Sequence, residues 1–315
     1  MTNTLTFRSV WVPLGVLLMS MLFAYTIVFA DSASTSVTVG NSAPVTSAAT
    51  FNGGSNVTLT ENTFVNATGT VTVTDANGCS TISSVTAKFY LASTSNSGSN
   101  CSYDGNTCYT SVCTATTTGN QCTGGADTSA EYDCGFQIWY VATPTDGSAP
   151  IWSTSIWSFA ATSTDGTDSH VATNTAQTIE VGTLNAHNVT ASIAYGSVAA
   201  NANTGATNQT TTVTATGNTA LDTDLSGDLM CTDYSTCSGG VLQPGQQEYS
   251  LTSFTYGAGT DLVATTSPAT VETVLAKPTS TTTPVTDDIL WGIGIPNGQT
   301  PGSYTGQNTF TAVSD

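Results

Sequence analysis

Basic side chains are almost missing from this sequence. Its 315 residues include three lysines and arginines, namely Arg8, Lys88 and Lys277, against 21 aspartates and glutamates, which gives a net charge of -18. Proteins that bind nucleic acid need clustered cations to displace counterions from phosphate, and the sequence has no such cluster. We therefore exclude nucleic acid as a partner.

Charge of either sign is scarce as well. Charged residues make up 8% of the chain, whereas about 25% is usual for soluble domains. Threonine, serine, asparagine and glycine take their place, and this composition favours strands over helices. After residue 30, no stretch of ten or more residues shows the 3.6-residue apolar period of a helix. Because apolar residues reach 39%, we expect a folded, all-β protein and not a disordered one.

Groups that usually carry catalysis are few. The chain has two histidines, His170 and His187, and it has no G-x-S-x-G motif. A secreted hydrolase would need one of these histidines beside a serine and a carboxylate. A zinc site is not expected, because C-x-x-C is absent and the histidines lie far from the cysteines. We expect that the protein is not an enzyme, and a secreted hydrolase is the least favoured alternative.

An uncharged apolar run occupies Val10–Ala30. Arg8 precedes the run, and Val28 and Ala30 place small residues at the two positions that signal peptidase reads. This architecture predicts export to the cell surface or the medium. The run is about 20 residues long, which also suits a membrane span. Residues 1–30 are therefore a signal peptide or a retained anchor helix, and contact with a membrane is expected only through residues 10–30.

Cysteine, in contrast, is plentiful. An even number of cysteines in an exported chain predicts disulfide bonds. The eight cysteines are Cys79, Cys101, Cys108, Cys113, Cys122, Cys134, Cys231 and Cys237. The sequence does not fix the pairing of the first six. The pairing we expect is Cys79–Cys134, Cys101–Cys108, Cys113–Cys122 and Cys231–Cys237. These bridges would hold in place an insertion at residues 93–130 that has few apolar side chains.

Apolar and hydroxyl side chains alternate along much of the chain. Thr70–Thr74 is one example, and the turn residues Asp75–Gly78 follow it directly. Many short strands separated by glycine, asparagine and proline are typical of β-sandwiches. We predict two tandem sandwich domains, at residues 31–165 and 166–315, with the six-cysteine insertion in the first. The boundary is placed in Thr162–Thr175, which is poor in apolar residues.

The last part of the chain resembles a known kind of domain. Trp291–Gly306 contains a strand, a turn at Pro296 and the pattern G-x-Y-x-G around Tyr304. It resembles the closing hairpin of immunoglobulin-like domains in exported prokaryotic surface proteins, such as WxL-type cell-wall domains and pilus or spore-coat modules. Val73–Cys79 and Tyr140–Asp146 also resemble repeats of such proteins. The tryptophan here is followed by Gly and Ile, which departs from the WxL pattern. The resemblance implies an immunoglobulin-like fold for both domains and carries no activity of its own.

One segment has the oxygen spacing of a calcium-binding loop. The candidate ligands are Asp222, Asp224, Ser226, Asp228 and Asp233. The flanking residues do not form the helices that such a loop joins, and the intervening leucines suit an ordinary strand and turn equally well. Calcium is the one cofactor that the sequence leaves open.

Tryptophans cluster in the first predicted domain at Trp139, Trp152 and Trp157. On an exposed face of a sandwich they could stack against sugars, which would make the protein a carbohydrate-binding module. The alternative is that they fill the core between the sheets. In an alternating strand, Phe136, Ile138 and Tyr140 share one face and leave Trp139 on the other.

The leading functional hypothesis is a non-enzymatic structural or adhesive protein of the cell surface, such as a subunit of an extracellular filament or coat. Residues 31–50 suggest a mechanism, because Val37 and Val39 alternate with hydroxyls in an extended pattern. Such a segment could pair with an open sheet edge of a neighbouring copy, so that the protein assembles through sheet edges. Alternatively, it forms the first strand of its own domain. A glycan is the alternative partner.

Overall fold

The computed structural model describes residues 31–149, 151–190 and 192–315. The predicted export segment at residues 1–30 lies outside the described residues. Within them the chain forms eighteen β-strands and four single-turn 3-10 helices. The all-β prediction is confirmed. In the described part of the chain, no helix has the length and hydrophobicity needed to cross a membrane. The described residues 31–40 and the residues Asn41–Asp315 fall into separate units.

The first eight strands make two antiparallel sheets. They are β1 (Val45–Phe51), β2 (Phe64–Thr74), β3 (Ser84–Leu91), β4 (Cys108–Val112), β5 (Thr114–Ala115), β6 (Ser129–Trp139), β7 (Trp157–Thr164) and β8 (Ser169–Ile179). One sheet has the order β1-β2-β6-β5 and the other has the order β4-β3-β7-β8. Inward-facing side chains of both sheets form one hydrophobic cluster, which we call the first core.

Aromatic rings dominate the first core. Phe51 of one sheet stacks on Phe89 of the other with ring centroids 4.0 Å apart, and Phe89 stacks on Trp157 at 4.7 Å. The alternation of β2 and β6 explains this arrangement, because every second side chain of each strand points between the sheets. Burial of such rings stabilises the fold by about 1.5–3 kcal/mol for each side chain.

The remaining strands build a second set of sheets. They are β9 (His187–Val189), β10 (Gln209–Ala215), β11 (Leu221–Gly227), β12 (Met230–Cys231), β13 (Val241–Leu242), β14 (Gln247–Ser250), β15 (Thr260–Asp261), β16 (Ala269–Leu275), β17 (Thr286–Ile293) and β18 (Asn308–Ser314). A five-stranded sheet has the order β15-β14-β17-β10-β9, a three-stranded sheet has the order β16-β11-β18, and β12 pairs with β13. Trp291 is fully buried in the second core and donates its indole N–H to Thr211 Oγ1 at 2.8 Å.

The structure contains four disulfides, and their pairing differs in part from the expected one. The bridges are Cys79–Cys122, Cys101–Cys108, Cys113–Cys134 and Cys231–Cys237. The expected bridges Cys79–Cys134 and Cys113–Cys122 are wrong. The reason is strand pairing: β5 pairs with β6 so that Thr114 faces Asp133, which brings the neighbouring residues Cys113 and Cys134 together. The other two bridges are as expected.

The six-cysteine region was predicted to be an insertion, but it is part of both sheets. It supplies β4 to one sheet and β5 to the other, and Cys113 lies at the crossing between them. Asp104 orders the loop before β4 by accepting the backbone N–H groups of Asn106, Thr107 and Cys108 on its Oδ1 atom. Burial works to raise the pKa of Asp104, but these bonds and one from the Thr107 hydroxyl outweigh it and hold the pKa below its usual value.

The position predicted for the domain boundary falls inside a hairpin. Asp165 lies in the turn between β7 and β8, and β8 pairs with β7 in the first pair of sheets. Ile179 and Val181 belong to the first core, so the change from one core to the other comes after Val181. Residues 162–175 comprise the end of β7, a turn and much of the edge strand β8, and they do not form a linker.

The expected closing hairpin is also different. β17 belongs to the five-stranded sheet and β18 to the three-stranded sheet, so the two strands do not pair with each other. Residues 294–307 connect the two sheets, and Tyr304 lies in this connection. The resemblance therefore located two real strands but mispredicted their pairing.

Buried polar side chains connect the two cores. Asn218 has no exposed surface, and its amide group donates to the carbonyl oxygens of Ala142 and Gly182 and accepts from Leu184 N–H at 2.7 Å. Lys277 Nζ donates to Val141 O at 2.9 Å and to Asn106 Oδ1 at 2.5 Å. The two cores therefore belong to one compact body, in agreement with the single unit Asn41–Asp315.

Candidate functional site

The three candidate tryptophans have different environments. Trp157 is fully buried, packs on Phe89 and donates its indole N–H to Thr143 O at 3.0 Å. It is a core residue, and the prediction that it contributes to a glycan site is wrong. Trp139 and Trp152 are half-buried against the first core. Trp139 lies on the face of β6 opposite to Phe136 and Ile138, as the alternation predicted, and it meets Phe64 edge-on at 5.1 Å.

The candidate calcium ligands do not converge. Asp222, Asp224 and Ser226 lie on β11, where the chain is extended and a calcium loop would have to turn tightly. Asp233 instead accepts hydrogen bonds from Ser238 and Gly239, the two residues that follow the Cys231–Cys237 loop. Among the described residues, no group of three or more metal-binding side chains can hold an ion. The loop geometry predicted for calcium is therefore wrong.

Within the described residues, Asp222 on β11 lies close to other carboxylates and not to a metal site. Its burial, together with the neighbouring carboxylates of Glu272 and Asp315, raises the pKa of its carboxyl group. β11 is the middle strand of its sheet, and its leucines point into the second core while Asp222 and Asp224 lie on the outer face. The alternation of leucine and aspartate is therefore the signature of an amphipathic strand.

The two histidines lie on strands. His170 on β8 is directly opposite Ser163 on β7, and its Nδ1 atom accepts the backbone N–H of Thr46 at 3.1 Å. The hydroxyl of Ser163 is buried and bonds to the hydroxyl of Thr46 at 2.7 Å. His187 begins β9, and its buried Nε2 atom lacks a hydrogen-bond partner among the described residues. The hydrogen bonds of His170 and Ser163 are thus directed to Thr46 and not to each other.

The second core is open along one side. A groove of about 350 Å³ runs between β18 and the segment that follows β9. We call it the β18 groove, and its main apolar lining consists of Val189, Ile193, Tyr195, Met230 and Phe310. Val189, Ile193, Tyr195 and Phe310 pack on the second core but remain only partly buried. Among the described residues, no charged side chain lines this groove.

Amide side chains give the β18 groove a fixed polar wall. Gln247 is buried, and its Oε1 atom accepts from Tyr195 Oη at 2.9 Å and from Asn308 Nδ2 at 3.0 Å. Burial raises the pKa of Tyr195 well above its usual value, so its hydroxyl stays protonated and available as a donor. The groove is therefore lined by uncharged groups that hold one another in place.

The free edge of β18 borders this groove. β18 pairs with β11 along its whole length and ends the three-stranded sheet. Asp228 N–H bonds to Gln307 O and Asp315 N–H bonds to Ala220 O, so the odd-numbered residues of β18 direct their backbone bonds to β11. Phe310 and Ala312 direct theirs outward, and neither has a backbone partner within the described ranges.

The N-terminal segment, which we define as Asp31–Val39, contains no strand. All of its residues are exposed, and Val37 and Val39 are 88% and 79% exposed. Strand β1 begins later, at Val45. The two alternatives for residues 31–50 therefore apply to different parts of this range. Residues 45–50 belong to the first strand of their own sheet, whereas residues 31–39 join no sheet in the described structure.

An all-β protein with four disulfides and two main hydrophobic cores is the class that the described residues define. Comparison with protein-family models, with curated proteins and with solved structures gives no match. The function is therefore argued from the chain's own residues.

Two features of the structure have no counterpart among the sequence-based expectations, namely the buried amine of Lys277 and the β18 groove. The groove had no local signal, since its two walls are separated by more than a hundred residues.

Proposed function

We propose that this protein is a non-enzymatic structural or adhesive component of the cell surface that assembles through its sheet edges. The observation that carries the proposal is the nature of those edges. Natural proteins protect edge strands from pairing with other chains, most often with lysine, other charges or proline. None of the edge strands β1, β4, β5, β8, β9, β15, β16 and β18 contains lysine, arginine or proline, and acidic side chains occur only as Asp261 in β15 and Glu272 in β16. The edges without such charge are suited to pairing with another copy.

The disulfides support a site of action outside the cell. Four bridges are consistent with an oxidising compartment, and the surface relies on hydroxyl and amide groups where most proteins use charge. We propose export through residues 1–30 and an immunoglobulin-like sandwich around each core. Both cores bury one tryptophan whose indole N–H is bonded internally, which supports related architectures.

The mass and native size of the protein from the surface fraction of its own host test this proposal. We expect a species that begins at Asp31, is lighter by the hydrogens of four disulfides, and sediments as polymers or sheets. Protein that remains monomeric at high concentration would overturn the structural role.

Carbohydrate binding is the second candidate, and Trp139 is the observation that favours it. Its ring is half-buried on the outer face of β6 beside Phe64, and the amide of Gln137 is exposed on the same face. Aromatic rings flanked by amides suit the apolar face of a sugar. Titration with host polysaccharides, followed by tryptophan fluorescence, should show a change that Trp139→Ala abolishes. Unchanged fluorescence across the glycans tested would remove this candidate.

A further inference from the structure

We infer that the β18 groove receives the N-terminal segment of a second copy of this chain, which adds a fourth strand to the three-stranded sheet. This inference rests on the proposed function and specifies the edge and the strand that carry out the assembly. Among the described residues, Phe310 and Ala312 on the receiving edge have unpaired backbone groups, and the inserting segment joins no sheet.

The receiving edge offers both kinds of contact that an added strand needs. The N–H and C=O groups of Phe310 and Ala312 point outward without partners in the described chain. Their side chains face the second core from the same edge and are only partly covered. A strand laid beside β18 would complete the backbone ladder and cover these side chains at once.

The N-terminal segment has the matching pattern. Val37 and Val39 are two residues apart, which places both on one face of a strand with Ser36 and Thr38 on the other. Inserted beside β18, the two valines would cover the exposed side of Ile193 and Phe310, and the hydroxyl side chains would face solvent. The segment spans about 30 Å when extended and β18 spans about 23 Å, so it is long enough to pair with the whole edge.

Electrostatics favours this pair of surfaces over others. Copies of a chain with a net charge of -18 repel one another. No charged residue occurs between Asp31 and Glu61, and no charged residue in the described part of the chain lines the β18 groove. Apart from Asp31 at its start, the inserting segment is uncharged, so the part that carries Val37 and Val39 brings no like charges into the groove.

Two matched double variants of the full chain test the inserting strand. Val37→Asp with Val39→Asp places charge on the face that would be buried, whereas Ser36→Asp with Thr38→Asp adds the same charge on the face that would remain in solvent. In the host's surface fraction, we expect the valine pair to lower the polymer yield by at least about tenfold. We expect the serine–threonine pair to leave most polymer intact.

A third variant tests the receiving edge. Ala312→Pro removes an outward N–H group and leaves the β11 ladder intact, since proline is tolerated on an edge strand whose N–H faces away from its neighbour. We expect it to fold, as judged by its circular dichroism, and to lose polymer to a similar extent. Hydrogen exchange provides an independent measurement: a peptide of residues 31–40 added to dissociated protein should slow exchange at Phe310 and Ala312.

The outcomes separate this inference from the proposed function. Polymers that form equally well with the valine pair and with Ala312→Pro would overturn the strand insertion while the structural role stands. A monomeric wild-type protein whose Phe310 and Ala312 amides are already protected would show that each copy fills its own groove, which also overturns insertion between copies. A wild-type protein that neither polymerises nor protects these amides with peptide would overturn both.

Discussion

At the residue scale, the first core leaves no room beside Gly69. A Cβ atom at this position on β2 would lie 2.3 Å from Cζ of Phe159, which is buried. We expect Gly69→Ala to lower the free energy of unfolding by about 1–3 kcal/mol, because the ring has to move within a packed core. Denaturant unfolding measures the change.

Gly135 provides the matched control for Gly69. It lies on β6, the strand that pairs with β2, and a Cβ atom there would meet nothing within 4 Å. Gly135→Ala should therefore be neutral or slightly stabilising. Equal losses at both positions would mean that crowding against Phe159 is not the cause.

The buried amine of Lys277 should make the free energy of unfolding increase with pH. Burial lowers its pKa from 10.5 to about 8 in the folded protein, although the nearby Asp104 works in the opposite direction. Below pH 8 both states carry the proton, but between pH 8 and 10.5 the unfolded chain binds a proton that the folded chain does not. The free energy of unfolding should therefore rise with pH in this window, by about 3 kcal/mol in total.

Unfolding measured between pH 7 and 9.5 tests this expectation. Lys277→Met should remove the rise, and Lys88→Met, which changes the net charge equally without touching the contact between the cores, should preserve it. Measurements belong below pH 10, because burial raises the pKa of Tyr109 and Tyr195 and their ionisation opposes folding at higher pH. A flat wild-type profile would contradict the buried position of this amine.

At the element scale, the Cys113–Cys134 bridge joins two sheets. Cys113 follows β4 of one sheet and Cys134 belongs to β6 of the other, so this bridge ties the layers together at a strand crossing. Replacing both cysteines with alanine should lower the free energy of unfolding by about 3 kcal/mol or more. Thermal unfolding measures the loss.

The double alanine variant of Cys101 and Cys108 is the comparison for this bridge. Those cysteines close a loop with a sequence separation of 7, against 21 for Cys113 and Cys134, so the loss should be smaller. Peptide mapping without reduction should recover Cys79–Cys122 and Cys113–Cys134. Recovery of Cys79–Cys134 would contradict the pairing of β5 with β6.

Strands were predictable from the sequence, and their partners were not. The alternation along Thr70–Thr74 and Phe136–Val141 marks which side chains face inward, because that signal is local. The pairing of β5 with β6 and the separation of β17 from β18 depend on contacts far apart in the chain. The same limit explains the mistaken disulfides and the unpredicted β18 groove, while the aspartates of β11 resembled a calcium loop because alternation and loop spacing coincide.

At the scale of the whole molecule, Asn218 couples the two cores. Its buried amide satisfies two carbonyl groups and one N–H of residues 142–184. Asn218→Ala leaves these groups without partners and should cost about 3 kcal/mol or more. Calorimetry should show one transition for the wild type and two separated transitions for the variant.

Asn188→Ala is the control for Asn218, because Asn188 is exposed on β9. It should leave the number of transitions unchanged and should shift the midpoint temperature by no more than about two degrees. A wild-type protein that already unfolds in two steps would mean that the cores are independent.

The positions of the two lysines after residue 30 also determine how well the protein resists cleavage by trypsin-like proteases. Lys277 precedes Pro278, and trypsin-like enzymes do not cut before proline. Lys88 lies within β3, between two hydrogen-bonded neighbours in the middle of its sheet. Such proteases therefore find a single cleavable bond in residues 31–315, and the fold covers it. The folded protein should therefore survive in trypsin-rich surroundings, and a digest with trypsin alone should yield almost no peptides by which to detect it.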